Sequence, residues 1–143
     1  MKKSAKKILS IILVICILTT GFSALALENS PRIVQSTMSS SRISAIGAGL
    51  TISSSGYATC TSSLEFAYYS DTGTTYMYLQ RMVDGYWTNV YSWTNSGSLF
   101  ISQTAHDYVA SGNYYRVHVV ALVYTSGSLV DTASQDSNTV YYS

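Results

Sequence analysis

After Lys7 the chain contains no lysine, and its 143 residues include one proline, two cysteines and two histidines. Each shortage removes a class of protein. Non-specific nucleic-acid binding requires clustered lysine and arginine that displace counterions from phosphates. The four arginines beyond residue 26 are dispersed, at positions 32, 42, 81 and 116. Nucleic acid is therefore excluded as a partner.

The lysines that are present predict where the protein goes. They stand at positions 2, 3, 6 and 7, directly before the apolar run Ile8 to Thr19, and Ala24-Leu25-Ala26 follows. This pattern predicts a signal-peptide helix over residues 1–26, cleaved between Ala26 and Leu27. The run is shorter than the roughly 20 residues that span a bilayer. We expect a secreted protein that meets the membrane only through its signal peptide, before cleavage.

Removal of the signal peptide changes the composition of what remains. About 117 residues are left, enough for one ordinary domain. They hold four arginines and seven acidic residues, a formal charge of −3. Cys16 leaves with the signal, so Cys60 has no partner for an internal disulfide. Because Cys60 alternates in phase with Ala58 and Leu64, we interpret it as a buried structural residue rather than a reactive thiol.

The remaining chain divides into a leader and one domain. Residues 27–42 contain Pro31 and a run of three serines, which predicts a flexible leader. Residues 43–143 are rich in Tyr, Val, Thr and Ser and lack a sustained 3.6-residue period, which favours strands. Seven segments are predicted, at 46–53, 57–66, 75–83, 86–93, 99–103 with an extension towards 108, 114–124, and 129–142 with an interruption at 135–138.

Turns separate these segments. Ser54-Ser55-Gly56 and Ser126-Gly127 predict hairpins, and residues 70–73 and 94–98 predict polar loops. Asp84-Gly85 is the residue pair that a tight type I′ hairpin requires. In the sixth segment, Tyr115 and alternate residues as far as Val123 are expected to face the core. Seven short strands at this spacing predict an antiparallel β-sandwich.

Two stretches resemble parts of the fibronectin type III, immunoglobulin-like fold. The sequence from Val109 to Ala121 is similar to the E–F corner of that family, where a tyrosine opens an alternating strand after a turn. The resemblance implies that Tyr115 is the corner tyrosine, with its ring packed and its hydroxyl bonded to the preceding loop. The stretch from Tyr76 to Val90 is similar to the C–C′ hairpin of the same family.

The whole chain also resembles small secreted proteins of Gram-positive bacteria, each a signal peptide followed by one such sandwich. The resemblance rests on Tyr78-Leu-Gln-Arg81, Gly85-x-Trp87-Thr-x-Val90-x-Ser92-Trp93 and Tyr115-Arg-Val117. That family has no established activity to transfer. The second segment has no tryptophan, where fibronectin type III domains place one in the core, and an Arg-Gly-Asp tripeptide is absent. Animal-type adhesion is therefore not implied.

Catalysis has few candidate residues. His106 and His118 are the two histidines, and His106 and its neighbour Asp107 would face opposite sides of a strand. No G-x-S-x-G nucleophile motif, phosphate-binding glycine loop, EF-hand spacing or zinc-ligand pattern occurs. We expect a non-enzymatic protein without a metal or cofactor.

Aromatic residues are the remaining candidates for function. In a regular strand, Trp87, Tyr91 and Trp93 share one face, beside Tyr76 and Tyr78 on the preceding strand. Such a face has three interpretations: rings that cover the core, a platform that stacks on cell-wall carbohydrate, or an interface for an extracellular protein. A self-associating structural protein is a further alternative, because Tyr76 to Leu79 and Val117 to Tyr124 are uncharged and β-prone.

Overall fold

The structure is a computed structural model, and it describes residues 42–143. This part of the chain has no helix, and hence none long and apolar enough to cross a membrane. The predicted signal-peptide helix, its cleavage point and the leader as far as residue 41 lie outside the described residues. The strands are β1 (Ile43–Ile52), β2 (Tyr57–Phe66), β3 (Asp71–Val83), β4 (Tyr86–Ser98), β5 (Phe100–Tyr108), β6 (Asn113–Thr125), β7 (Ser128–Asp136) and β8 (Val140–Tyr142).

The strands form two antiparallel sheets. The first sheet has the order β1-β2-β5, and the second has the order β4-β3-β6-β7, with β8 also paired to β6. Eight strands replace the seven predicted because the last one is interrupted between Asp136 and Val140, close to the predicted break. The predicted antiparallel β-sandwich is confirmed at the level of its two sheets and its shared core.

The core lies between the sheets and follows the predicted alternation. Side chains from β1 and β2 meet side chains from β3 and β6 in one cluster, and a second cluster continues it towards the start of β1. Apolar residues at every second position explain this, since successive strand side chains point to opposite faces. The fully buried members are Ala58, Cys60, Leu64, Met77, Leu79, Val117, Val119, Ala121 and Val123.

The Asp84-Gly85 hairpin has the predicted geometry. Asp84 has φ of 51° and Gly85 has φ of 85°, so both central residues are left-handed, as a type I′ turn demands. Ser126 and Gly127 repeat the arrangement between β6 and β7, with φ of 50° and 81°. Each pair joins strands that hydrogen-bond side by side, so local sequence was enough to predict these two connections.

Residues 70–73 were predicted as a loop, and this prediction is wrong from Asp71 onward, where β3 begins. Asp71 is fully buried and accepts hydrogen bonds from Thr125 Oγ1, at 2.7 Å, and from Arg42 Nη1, at 3.3 Å. These long-range partners make a polar residue acceptable inside a strand. They come from β6 and from the chain ahead of β1, so a local pattern could not show them.

The predicted polar loop at 94–98 is also wrong, because β4 continues to Ser98, which pairs with Thr72. The hydroxyls of Thr74 and Ser96 bond to each other at 2.9 Å along this stretch. Polar side chains suit it because β4 is an edge strand with water on one side.

Arg42, assigned to the flexible leader, is held by the sandwich. Its backbone N–H donates to Asp131 Oδ2 at 2.8 Å, and its carbonyl accepts from Ala67 N at 2.9 Å. Its guanidinium also stacks over the Tyr68 ring, 4.5 Å from the centroid. The domain therefore includes Arg42, one residue earlier than predicted.

Candidate functional site

A β-bulge in β4 decides which aromatic residues share a face. Leu79 of β3 pairs with Tyr91, whereas the next residue, Gln80, pairs with Asn89. Val90 is therefore an extra residue in β4, without a partner in the register. Because side chains alternate along a strand, one extra residue reverses the faces of everything beyond it.

The bulge places Trp87 on one side of the second sheet and Tyr91 and Trp93 on the other. Trp87 pairs with Met82 on the solvent-facing side, the outer face. Trp93 pairs with Met77, packs against the core and stacks on Tyr91 with ring centroids 5.9 Å apart. The prediction of one face shared by all three residues is wrong, because it assumed a regular strand.

Trp87 belongs instead to a set of side chains centred on Arg116 of β6. The Arg116 guanidinium lies over the Trp87 ring, 4.5 Å from its centroid. Its Nε donates to Gln80 Oε1 at 2.8 Å, and its Nη1 donates to Asp136 Oδ2 at 2.7 Å. A planar cation held by two hydrogen bonds and one aromatic ring loses most of its freedom before any ligand arrives.

The same network extends to both edges of the sheet. Towards β4, Gln80 Nε2 donates to Asn89 Oδ1 at 2.8 Å. Towards β7, Asp136 Oδ1 lies 2.5 Å from His118 Nδ1, and the His118 ring stacks on Tyr78 at 6.3 Å. We call this set the Arg116 array, and its members are Tyr78, Gln80, Trp87, Asn89, Arg116, His118 and Asp136.

The hydrogen-bond acceptors of the Arg116 array are occupied by donors within the array, whereas two of its N–H donors have no partner. Both oxygens of Asp136 and the side-chain oxygens of Gln80 and Asn89 are occupied. Among residues 42–143, Arg116 Nη2 and Asn89 Nδ2 have no protein partner. A ligand here would meet free N–H groups beside aromatic rings, so the array suits a molecule that offers oxygen acceptors and an apolar face.

A neutral stripe runs from the array along the outer face. Its centre is made of half-buried aromatic and aliphatic side chains, and hydroxyl side chains flank it on β4 and β7. The central residues are Tyr76, Val120, Leu122 and Tyr124, and the flanking ones are Ser92, Thr94, Ser96, Thr132 and Ser134. No charged side chain lies among these positions.

The two histidines occupy different surroundings. His106 lies on the outer face of the first sheet, where Nδ1 is 3.2 Å from Thr59 Oγ1 and the ring stacks on Tyr57. Asp107 faces the opposite side of the strand from His106, as predicted, and its hydrogen bond with Tyr91 raises the pKa of that phenol above its usual value. Only His118 pairs with a carboxylate within the described residues. No hydroxyl or thiol there hydrogen-bonds to His118, so the pair has no nucleophile in position.

Cys60 has no exposed surface and is a free thiol, packed in the core cluster. Burial, with a smaller contribution from the charge of Asp107, raises the pKa of Cys60 to about 11. The thiolate is the reactive form of cysteine, and it is nearly absent at neutral pH in this position.

Tyr115 is 1% exposed, and its hydroxyl donates to the carbonyl of Ala110 at 2.8 Å. Ala110 lies in the turn between β5 and β6, so this bond ties the turn to the core.

No group of three or more His, Cys, Asp and Glu side chains converges within residues 42–143 to hold a metal ion. Asp131 is the fourth residue of β7 and Asp136 is its last, and the two have different partners. Asp131 binds the Arg42 backbone, and Asp136 belongs to the Arg116 array.

Sequence reasoning missed most of the array. Gln80, Asn89, Arg116 and Asp136 come from four strands, and each alone is an ordinary polar residue in a strand sequence. One signal was available: Arg116 and His118 are two residues apart on the outward side of a predicted strand. Their partners depend on strand order and on the bulge at Val90, which a single sequence does not reveal.

The comparisons with known proteins give no relative for this chain: no family model matches it, and neither does any curated protein or solved structure.

Proposed function

We propose that this protein is a secreted, non-enzymatic β-sandwich module that binds an extracellular ligand through the outer face of its second sheet. The observation that carries the proposal is the Arg116 array. Its side chains are held in place by each other, they retain free donors, and they lie on four strands of one sheet. Sites built on strands keep their geometry better than sites built on loops.

Carbohydrate of the cell wall is the ligand class that the outer face favours. Sugars combine an apolar ring face, which stacks on aromatic side chains, with hydroxyl and carbonyl oxygens that accept hydrogen bonds. Trp87 and Tyr78 supply rings, and Arg116 and Asn89 supply donors. The adjoining stripe is uncharged and rich in hydroxyl groups, which fits a neutral chain lying along the sheet.

The finer fold type and the exported location belong to the same proposal. The β3–β4 hairpin would be the C–C′ hairpin of a fibronectin type III-like domain, and the β5–β6 turn its E–F corner. The bond from the Tyr115 hydroxyl to the Ala110 carbonyl supports this assignment. The lysine-led apolar segment over residues 1–26 supports export, as in the secreted Gram-positive proteins that the chain resembles.

Binding to insoluble cell-wall glycan tests the proposal. The exported protein is mixed with purified Gram-positive cell walls, and the bound fraction is compared between wild type, Trp87→Ala and Trp93→Ala. Truncation of an aromatic hot-spot residue at the centre of an interface costs about 2 kcal/mol or more, so Trp87→Ala should weaken binding by about 30-fold or more.

Trp93→Ala is the matched control, because Trp93 lies on the same strand but on the inner side of the sheet. Thermal melts of both variants check that each is folded at the temperature of the binding assay. Equal binding by wild type and Trp87→Ala would refute the assignment of the ligand face. If the wild type binds no glycan but captures a secreted protein in a Trp87-dependent way, the face is a protein interface instead.

A further inference from the structure

The edge of the second sheet at β4 is open. Among residues 42–143, β4 hydrogen-bonds to β3 on one side and to no strand on the other. From Tyr91 to Ser98 its pairing with β3 is continuous, so eight residues beyond the bulge form one regular stretch. An edge strand of this kind presents a row of unpaired N–H and C=O groups that can template another strand.

The edge at β1 is protected by side chains. The Arg42 N–H, at the start of this strand, donates to Asp131 of β7 at 2.8 Å. Near its other end, the carbonyl of Leu50 accepts from Asn138 Nδ2 at 3.4 Å. Both contacts come from the opposite sheet or its β7–β8 connection, and they occupy backbone groups that another strand would need.

The edges at β5 and β7 carry charge. β5 contains Asp107, and its Ser102 carbonyl accepts from Asn95 Nδ2 at 3.0 Å. β7 contains Asp131 and Asp136 and has a register shift near its start. Charged side chains and bulges are devices that keep edge strands from pairing with other molecules.

β4 has neither charge nor proline over its 13 residues. Lysine, the residue that most often protects an edge, is absent from the chain after Lys7. Within the described residues, side chains bond to the β4 backbone beyond the bulge at two places: Asn95 Oδ1 accepts from Ser96 N at 2.9 Å, and the Asn95 carbonyl accepts from Thr75 Oγ1 of β3 at 3.4 Å. The bulge at Val90 leaves the stretch from Tyr91 to Ser98 unaffected.

The sequence predicted self-association through two other uncharged segments, and this prediction is wrong. Tyr76 to Leu79 lies in β3 and Val117 to Tyr124 lies in β6, and both strands have neighbours on each side. Their backbone groups are therefore already paired. The open edge belongs to the strand with the polar sequence that was predicted as a loop from residue 94.

We propose that β4 pairs antiparallel with β4 of a second copy of this chain, over the stretch from Tyr91 to Ser98. The result is a dimer with a two-fold axis normal to the sheet and with one continuous sheet through both copies. A two-fold interface uses the same surface twice, so a strand can pair with itself only where like charges do not face each other. The stretch from Tyr91 to Ser98 meets this condition because it has no charge.

The charged residue next to this stretch does not disturb the pairing. Asp107 contacts Tyr91 at one end of the stretch. In an antiparallel pair the two copies of Tyr91 lie at opposite ends, roughly 20 Å apart for a rise of about 3.4 Å per residue. That separation is about two Debye lengths at physiological salt, so repulsion between the two copies of Asp107 is weak.

Sedimentation equilibrium of the exported wild-type protein and of Thr94→Lys tests the pairing. Thr94 is exposed near the middle of the stretch, so a lysine there lies close to its own copy across the axis. We expect a wild-type dimer and at least a tenfold weaker association of Thr94→Lys. An equimolar mixture of Thr94→Lys and Thr94→Glu should associate again, because opposite charges then meet across the axis.

Thr132→Lys on β7 is the matched control, since it adds the same charge to an exposed threonine on the same face. It should dimerise as the wild type does, and thermal melts confirm that all variants are folded. A wild-type monomer at about 1 mM would overturn the proposal, since a millimolar dimer would be substantially populated there. A Thr94→Lys variant that dimerises as tightly as the wild type would also overturn it. Pairing through β4 is independent of glycan binding, and Trp87→Ala should leave the dimer intact.

Discussion

Removal of one hydroxyl group from the core should measurably destabilise the fold. In Tyr115→Phe the ring stays, so no large cavity forms, and the change is confined to the bond from the Tyr115 hydroxyl to the Ala110 carbonyl at 2.8 Å. The Ala110 carbonyl also accepts from Asn113 Nδ2 at 3.4 Å, so it keeps a hydrogen-bond partner when the Tyr115 hydroxyl is removed. The cost should therefore be that of one ordinary hydrogen bond, about 1 kcal/mol, rather than that of a buried unsatisfied acceptor.

Urea and thermal unfolding of Tyr115→Phe measure this cost. For a domain of this size, about 1 kcal/mol lowers Tm by roughly 4 to 8 °C. Tyr114→Phe is the control: Tyr114 is 52% exposed, and its ring packs on Tyr141 at 4.8 Å with no hydrogen bond from its hydroxyl. Its stability should stay within about 0.5 kcal/mol of wild type. Equal stabilities of the two variants would refute the role of the Tyr115 hydroxyl in holding the β5–β6 turn.

Two further predictions concern a strained residue and a buried thiol. Leu99 has φ of 68° and is 55% exposed, so Leu99→Asn should raise Tm by a few degrees, through relief of about 1 kcal/mol of left-handed strain. An unchanged or lower Tm would contradict this. The pKa of Cys60 is raised from 9.0 to about 11, so the unfolded chain releases this proton at lower pH than the folded protein. Stability should therefore fall as pH rises from about 9 to about 11, and urea titrations of Cys60→Ala should show a smaller fall. An identical pH profile for the variant would argue against a shifted thiol.

The predictable parts of the fold are those that neighbouring residues decide. The alternation around Tyr115 and Val119 fixes the inner face of β6, and Asp84-Gly85 fixes the β3–β4 turn by its tolerance of positive φ. The wrong predictions involve partners distant in sequence. Asp71 is strand rather than loop because Arg42 and Thr125 satisfy its carboxylate.

The candidate site shows the same division on a smaller scale. Trp87 was identified from the sequence as a residue of interest, but its companions were not Tyr91 and Trp93. One unpaired residue, Val90, turned those two rings towards the core and left Trp87 beside Arg116. A bulge is a property of two paired strands, so the sequence of β4 alone does not show it.

The sequence by itself determined the composition, the all-β class and the two tight turns at Asp84-Gly85 and Ser126-Gly127. The period-two alternation of apolar residues requires strands and fixes which of their faces enter the core. The tertiary structure decided the surfaces. Strand order assembled the Arg116 array from four strands and left β4 with an open edge. Both features depend on which strands become neighbours. The sequence of a single strand does not specify its neighbours, because pairing joins segments that are distant in the chain.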